Sequence, residues 1–271
     1  MNLILFLCAL GSSQFLKMTP GVLSQGMGGA SVVIDEGLAI FHNPAFSRGT
    51  QFNFTLSRWL YATNHLTAAG AYQDFLFGIT YLNYGRIQGY DELGNETEVF
   101  APYDLCIGLG RRFGVAGIGI KAFTERIEDQ VLYGVCASCG FYVHGDKIAF
   151  GIRADNIGKE FGQNTAVPLL VAAGVRYRLF SDFDLLLEAK PMDLELNAGF
   201  MYRYEDLRVF MGMRYLAPDG FVEEMNLSKD VCYTGGIIVH IEDYDIGYSI
   251  VYNPLSLAHQ FGIMFVPGNG N

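Results

Sequence analysis

Charge is scarce in this 271-residue chain: only 17% of its residues are Asp, Glu, Lys or Arg, and the net charge is -10. Basic clusters, which any protein needs to neutralise a phosphate backbone, are missing, so nucleic acid is excluded as a partner. No apolar run approaches the ~18 residues of a membrane-crossing helix. The five histidines, His42, His65, His144, His240 and His259, stand in no metal-ligand spacing, and no serine stands out as a nucleophile. Neither a metal or other cofactor nor enzymatic activity is therefore expected. What the chain does have is 51% hydrophobic residues, including 16 Tyr and 21 Phe, together with 33 Gly. Aromatics and glycine in such quantity, without a spanning apolar run, point to β-strands.

The N-terminus MNLILFLCALGSSQF carries an apolar core from Leu3 to Leu10, then small and polar residues. That core is too short to span a bilayer and reads as a signal peptide over residues 1–14, with Ala9-Leu10-Gly11 as a small-x-small cleavage site. No Lys or Arg precedes it, so its n-region relies on the amino terminus or on residues upstream. Leu7 before Cys8 is not small, which argues against a lipid-modified Cys8.

From Gln51 onward, stretches of about ten residues alternate apolar with polar or small residues, the period of a strand with two unlike faces. In FDLLLEAK, Phe183, Leu185, Leu187 and Ala189 oppose Asp184, Leu186, Glu188 and Lys190. LELNAGFMYRY and LRVFMGMRY repeat the scheme. Strands are expected at 51–60, 64–72, 75–83, 102–113, 115–125, 131–143, 147–156, 168–179, 183–190, 194–203, 207–216, 230–241, 244–253 and 257–266. Tight connections near 73–74, 114, 144–146, 180–182, 204–206 and 242–243 alternate with long ones at 84–101, 157–167 and 217–229. An even strand count with short turns at one end and long loops at the other predicts an all-β fold, a transmembrane antiparallel up-and-down β-barrel of about fourteen strands over 51–271. A soluble sandwich has no reason to keep that alternation through so many hairpins.

The less greasy face is rich in small residues such as Gly108, Gly110, Gly117, Gly119, Ala149, Gly151, Ala172 and Gly174. Among them stand Arg112, Lys121, Arg153, Arg176, Arg178, Glu188, Lys190, Glu195, Arg203, Arg208 and Arg214. Small residues that leave room, with charges that pair across strands, describe a barrel lumen. Tyr177, Tyr202, Tyr204, Tyr215, Tyr244 and Tyr252 fall near strand ends, where aromatic girdles meet the membrane interfaces. Cys136 and Cys139 differ by an odd number on one strand and so face opposite ways, which prevents a shared metal or disulfide. Cys106, Cys136 and Cys232 share the lumen face on separate strands and read as unpaired small residues. In the segment 217–229, Phe221, Val222, Met225 and Leu227 interleave with Glu223 and Glu224 and hint at an apolar loop patch.

The run GMGGASVVIDEGLAIFHNPAF at 26–46 lacks the preceding strand, the glycine spacing and the Lys-Ser/Thr of a phosphate cradle. A barrel of this width leaves a hole unless something fills it. Residues 15–50, which contain the run, are the only non-strand block of that size and are expected to fold into the lumen as a hatch. There the glycines permit tight turns, Pro44 ends any helix begun near Gly37, and Asn43 satisfies backbone groups.

Gly26, Met27, Gly28, Gly29 and Ala30, then Asp35 and Glu36, then Ala39 and finally Asn43, Pro44 and Ala45 resemble the N-terminal signature of the PorV/PorQ outer-membrane proteins. These are a family within the broader superfamily of the FadL long-chain fatty-acid transporter. The motif covers about twenty residues, and the chain departs from it at Glu36, where a second Asp is usual, at His42, where an aromatic is usual, and at its PGNGN ending. The resemblance implies a fourteen-stranded barrel with a lumenal hatch in the outer membrane of a Gram-negative-type bacterium, in contact with its lipid. On the FadL side it implies passive uptake of hydrophobic small molecules past a hatch that moves. On the PorV/PorQ side it implies a non-conducting accessory, partnered with proteins of a type IX-like secretion and surface-attachment system.

Overall fold

The computed structural model describes residues 13–47, 49–59, 63–91, 93–128, 130–162, 167–216, 231–253 and 256–267. Its strands are β1 (Gln51–Arg58), β2 (Asn64–Tyr72), β3 (Phe75–Asn83), β4 (Ile87–Tyr90), β5 (Glu96–Phe100), β6 (Tyr103–Phe113), β7 (Ala116–Ile127), β8 (Gln130–His144), β9 (Ile148–Glu160), β10 (Leu170–Phe180), β11 (Phe183–Lys190), β12 (Glu195–Tyr204), β13 (Leu207–Leu216), β14 (Val231–Ile241), β15 (Tyr244–Asn253) and β16 (Ser256–Phe265). All but β4 and β5 form one closed antiparallel barrel in sequence order. The last strand returns to the first, with Phe52 opposite Phe265 and Arg58 opposite His259.

Period two decides the faces, and the burial pattern is that of a membrane barrel. On β11, Leu187 is 59% exposed on the outside while its neighbours Leu186 and Glu188 are buried inside. On β7, Ile118 and Ile120 face out and Lys121 faces in, 3% exposed. Apolar side chains outside and charges inside invert the arrangement of a soluble protein, and only a hydrocarbon surround makes it stable. Aromatics ring both ends of the wall: Tyr72, Phe75, Phe113, Phe180, Tyr204 and Tyr244 near one rim, Tyr133, Tyr215, Tyr233 and Tyr252 near the other, all exposed.

The short-turn rim is stitched by backbone. Positive φ at Gln73, Gly114, Glu205 and Glu242 supplies the left-handed residue that tight hairpins require. The second residue of each turn then accepts a hydrogen bond from the next hairpin. Arg112 N–H donates to Asp74 O at 2.8 Å, Tyr142 to Val115 at 2.8 Å, Arg203 to Asp182 at 2.8 Å, His240 to Asp206 at 2.7 Å and Val266 to Asp243 at 2.9 Å. A backbone that would otherwise end at the interface with open polar groups is thereby satisfied.

The opposite rim differs from expectation in two respects. Some of its connections are short, since only 128–129 and 191–194 separate β7 from β8 and β11 from β12. The expected loop at 84–101 contains the β4–β5 hairpin outside the barrel sheet, and β9 continues to Glu160, which shortens the 157–167 loop. The segment 217–229 with its expected apolar patch, and residues 1–12 of the expected signal peptide, lie outside the described residues.

Candidate functional site

The bore is occupied by the chain's own N-terminal segment. Residues 13–47 comprise a 3-10 turn (Gln14–Lys17), a five-residue α-helix (Val22–Gly26) and irregular turns, and nearly every one of them is buried. The segment enters near the long-loop rim, where Phe15 packs edge-on to Phe123 and Leu16 O accepts from Asn156 Nδ2 at 3.3 Å. It leaves at the short-turn rim, where Phe46 stacks on Tyr142 with ring centres 3.9 Å apart.

Gly26, Met27, Gly28 and Gly29 each have a wall partner. A Cβ on Gly26 would stand 2.1 Å from the Phe210 ring. Met27, fully buried, covers the paired wall glycines Gly199 and Gly212. Gly28, at φ 79, donates to Thr234 Oγ1 at 2.9 Å, and its carbonyl accepts from Arg214 Nε at 3.2 Å. Gly29, at φ 86, lies against the same guanidinium, and Ala30 is fully buried. The acidic pair divides its work. Asp35 accepts from Gln51 Nε2 at 2.5 Å. Glu36 turns inward to cap the short helix, accepting from Leu23 N–H at 3.0 Å and Ser24 N–H at 3.1 Å, the donors a helix start leaves open. Asn43 Nδ2 donates to Val32 O and to Phe141 O, each at 3.1 Å, while its Oδ1 accepts from Ala45 N–H at 3.0 Å. Pro44 sits over Gly117, a position that no side chain could share.

Burial lifts the Glu36 carboxyl from 4.5 to about 7, opposed by the helix N–H groups that favour its charge. His42 is lowered from 6.5 to about 3, first by burial and then by the charge of Arg153. It is therefore neutral at pH 7. Its Nε2 stands 2.8 Å from Pro20 O, so Nε2 carries the proton and Nδ1 presents a lone pair 3.9 Å from Glu36.

The lumenal charges fall into two sets. Four of them hold the segment: Arg112 Nη1 donates to Ser47 O at 2.8 Å, Arg153 Nη1 to His42 O at 2.7 Å and Phe41 O at 3.1 Å, Arg214 to Gly28, and Glu188 accepts from Ser31 and Val32. The others pair along the wall: Lys121 with Asp155 at 3.3 Å, Lys190 with Glu195 at 2.6 Å, Arg203 and Arg178 with Asp184 at 3.0 and 3.4 Å, and Arg208 with Asp245. Arg176 lies half-buried on the inward face of β10. Sequence reasoning placed Asp184 on the inward face without counting it among the lumen charges, and left out Asp155, Asp245 and Thr234, all buried on inward positions that strand alternation alone would have identified.

Cys106, Cys136 and Cys232 are buried, Cys139 is exposed on the outer face, and none of the four is in a disulfide. Among the described residues no three His, Cys, Asp or Glu gather as a metal site. An apolar groove of about 520 Å³ indents the outer wall at Val175, Leu187, Ala198, Met211 and Met213, with Gly199 and Gly212 at its floor.

These observations define the protein as a closed, fourteen-stranded membrane barrel with a filled bore. No family model and no curated protein matches the sequence. Solved structures do match: the Pseudomonas putida toluene transporter TodX superposes with a TM-score of 0.61 at 12% identity, over 90% of this chain and 96% of that one. A TodX monoaromatic hydrocarbon channel mutant, deltaS2, gives 0.55 at 11% identity over 91% and 97%. A second mutant, deltaS2S3, gives 0.53 at 12% identity over 90% and 97%. At such identities the likeness is one of fold.

Proposed function

We propose that this protein is an outer-membrane conduit for the passive uptake of hydrophobic small molecules, in which residues 15–50 act as a hatch and residues 1–14 as the export signal. The observation that carries the reading is a bore stopped by the chain's own N-terminal segment. Among the described residues that segment is held to the wall by hydrogen bonds, packing and the Lys17–Asp193 ion pair, so it can shift without breaking a covalent bond. The likeness to hydrocarbon channels supports the same reading and a place among FadL-like barrels in a Gram-negative-type outer membrane. The motif residues, most of them seated against the wall, support the narrower PorV/PorQ assignment. The comparisons do not favour the secretion-accessory role.

The test is entry of a fluorescent long-chain fatty acid into liposomes that carry the refolded mature protein, against empty vesicles. A Cβ on Gly174 would lie 3.4 Å from that of Val32, close to disulfide geometry. Val32→Cys/Gly174→Cys, in a background otherwise free of cysteine, therefore locks hatch to wall under oxidation. Faster entry that stops on oxidation and returns on reduction supports a gated conduit. Entry no faster than in empty vesicles from a folded barrel refutes it.

A further inference from the structure

Two buried hydroxyls at the short-turn rim have no hydrogen-bond partner among the described residues: Ser47 Oγ and Tyr142 OH. Their residues are 1% and 6% exposed, so neither oxygen is satisfied by bulk water. Both line the same cavity of about 240 Å³, at the point where the N-terminal segment leaves the bore to become β1. Arg112 lines it as well, its guanidinium fixed by Asp74 at 3.0 Å and by Ser47 O at 2.8 Å. The apolar side of the cavity is the Phe46 ring, stacked on Tyr142, together with Val115 of the Gly114-Val115 turn.

The lining is rich in donors. Tyr142, Ser47 and Arg112 offer O–H or N–H groups, the His144 imidazole stands beside them with one nitrogen able to donate, and no carboxylate is among the described lining residues. Converging donors beside an aromatic wall recognise an acceptor oxygen on an apolar body, and a carboxylate, which accepts from several donors at once, meets that demand best. The volume lies below that of drug-sized pockets and suits one ring or a short chain rather than a long acyl tail.

We propose that this cavity is an exit subsite for a single-ring or short-chain monocarboxylate, its carboxylate held by Ser47, Tyr142 and Arg112 and its apolar body on Phe46 and Val115. The purpose of the subsite rests on the conduit reading, since it names what the conduit releases last, but its occupancy can be measured without transport. The probe is benzoate, with toluene as the ring that lacks the oxygens. Binding to the detergent-solubilised protein is followed by calorimetry and by the shift of carboxyl-labelled benzoate. The expected result is saturable benzoate binding that outcompetes toluene and weakens about tenfold in Tyr142→Phe, with a further loss in Tyr142→Phe/Ser47→Ala. Both changes delete one oxygen and preserve the packing, and unchanged heat-modifiable gel mobility reports the intact barrel. Should the double variant fail to fold, Tyr142→Phe alone decides. Absence of saturable benzoate binding by the wild type, or equal affinity in Tyr142→Phe, overturns the proposal. Benzoate binding that depends on Tyr142 in a protein inert in liposomes would retain the subsite and discard the conduit.

Discussion

Glu188 is the carboxylate from which the middle of the N-terminal segment hangs. One oxygen, Oε2, accepts the successive N–H groups of Ser31 at 2.6 Å and Val32 at 2.8 Å, in a side chain fully shielded from solvent. Glu188→Gln can keep an acceptor oxygen at that point and loses only the charge. Charged hydrogen bonds contribute about 1.5–3 kcal/mol and neutral ones about 0.5–1.5, so two weakened bonds cost about 2 kcal/mol together. Glu188→Ala strands both N–H groups, at about 1–3 kcal/mol each, or about 2–6 kcal/mol in all. Lys190, 3.9 Å from Glu188, keeps its closer partner Glu195 at 2.6 Å and so is not left alone in either variant. Since 1.4 kcal/mol is tenfold, the undocked fraction rises about 30-fold for Gln and by at least as much for Ala. A cysteine at Val32, fully buried when docked, reads that fraction as its rate of maleimide labelling in an otherwise cysteine-free protein. The expected order is Glu188 slowest, Gln faster by about 30-fold and Ala fastest, with unchanged heat-modifiable mobility of the barrel. Equal rates in all three proteins would refute the tether. Loss of the barrel together with the segment would show one cooperative unit rather than a hatch on a frame.

The pH dependence of docking follows from Glu36, whose carboxyl sits at about 7 when docked against 4.5 when solvated. The docked state binds the proton more tightly, so docking is strongest below the solvated value and weakens by about 3 kcal/mol as pH rises through the docked one. Labelling at Val32→Cys, normalised to a free thiol, should accelerate between pH 5 and pH 8, and Glu36→Gln should flatten that rise. Gly212→Val places a Cβ 2.4 Å from the backbone of Met27 and Gly28, so the segment must move away while the wall stays closed. Faster fatty-acid entry and faster trypsin cleavage at Lys17 are expected, and wild-type protection would count against the packing described. Leu187→Arg, on the exposed outer face of β11, should cost about 2–4 kcal/mol in a bilayer folding titration if that face meets hydrocarbon. A cost near zero would place it in water.

The barrel was legible in the sequence because a strand with lipid on one side and a packed lumen on the other cannot avoid period two, and β11 through β13 show it residue by residue. The β4–β5 hairpin was not legible for the same reason. It lies outside the barrel with most of its side chains in solvent, its turn tied by Asp91, and without a buried face there is no alternation to read. The helix Val22–Gly26 is too short to show a period, so the role of Glu36 as its cap emerges only once chain folding brings 36 back to 23. Strand phase likewise identified which charges point inward but not which ones grip the segment, since Arg153 and Lys121 share a face and differ only in what stands opposite. The wall glycines carry more information than their small size suggested. Gly78, Gly108, Gly110 and Gly119 make the hollow that Ile40 fills, Gly140 and Gly151 admit Asn43, and Gly199 and Gly212 admit Met27. Room in this lumen is therefore not a wet path but a mould of the N-terminal segment. On the proposed conduit reading, any route for a ligand then has to open by moving that segment, which makes docking strength, rather than bore width, the quantity on which conduction would depend.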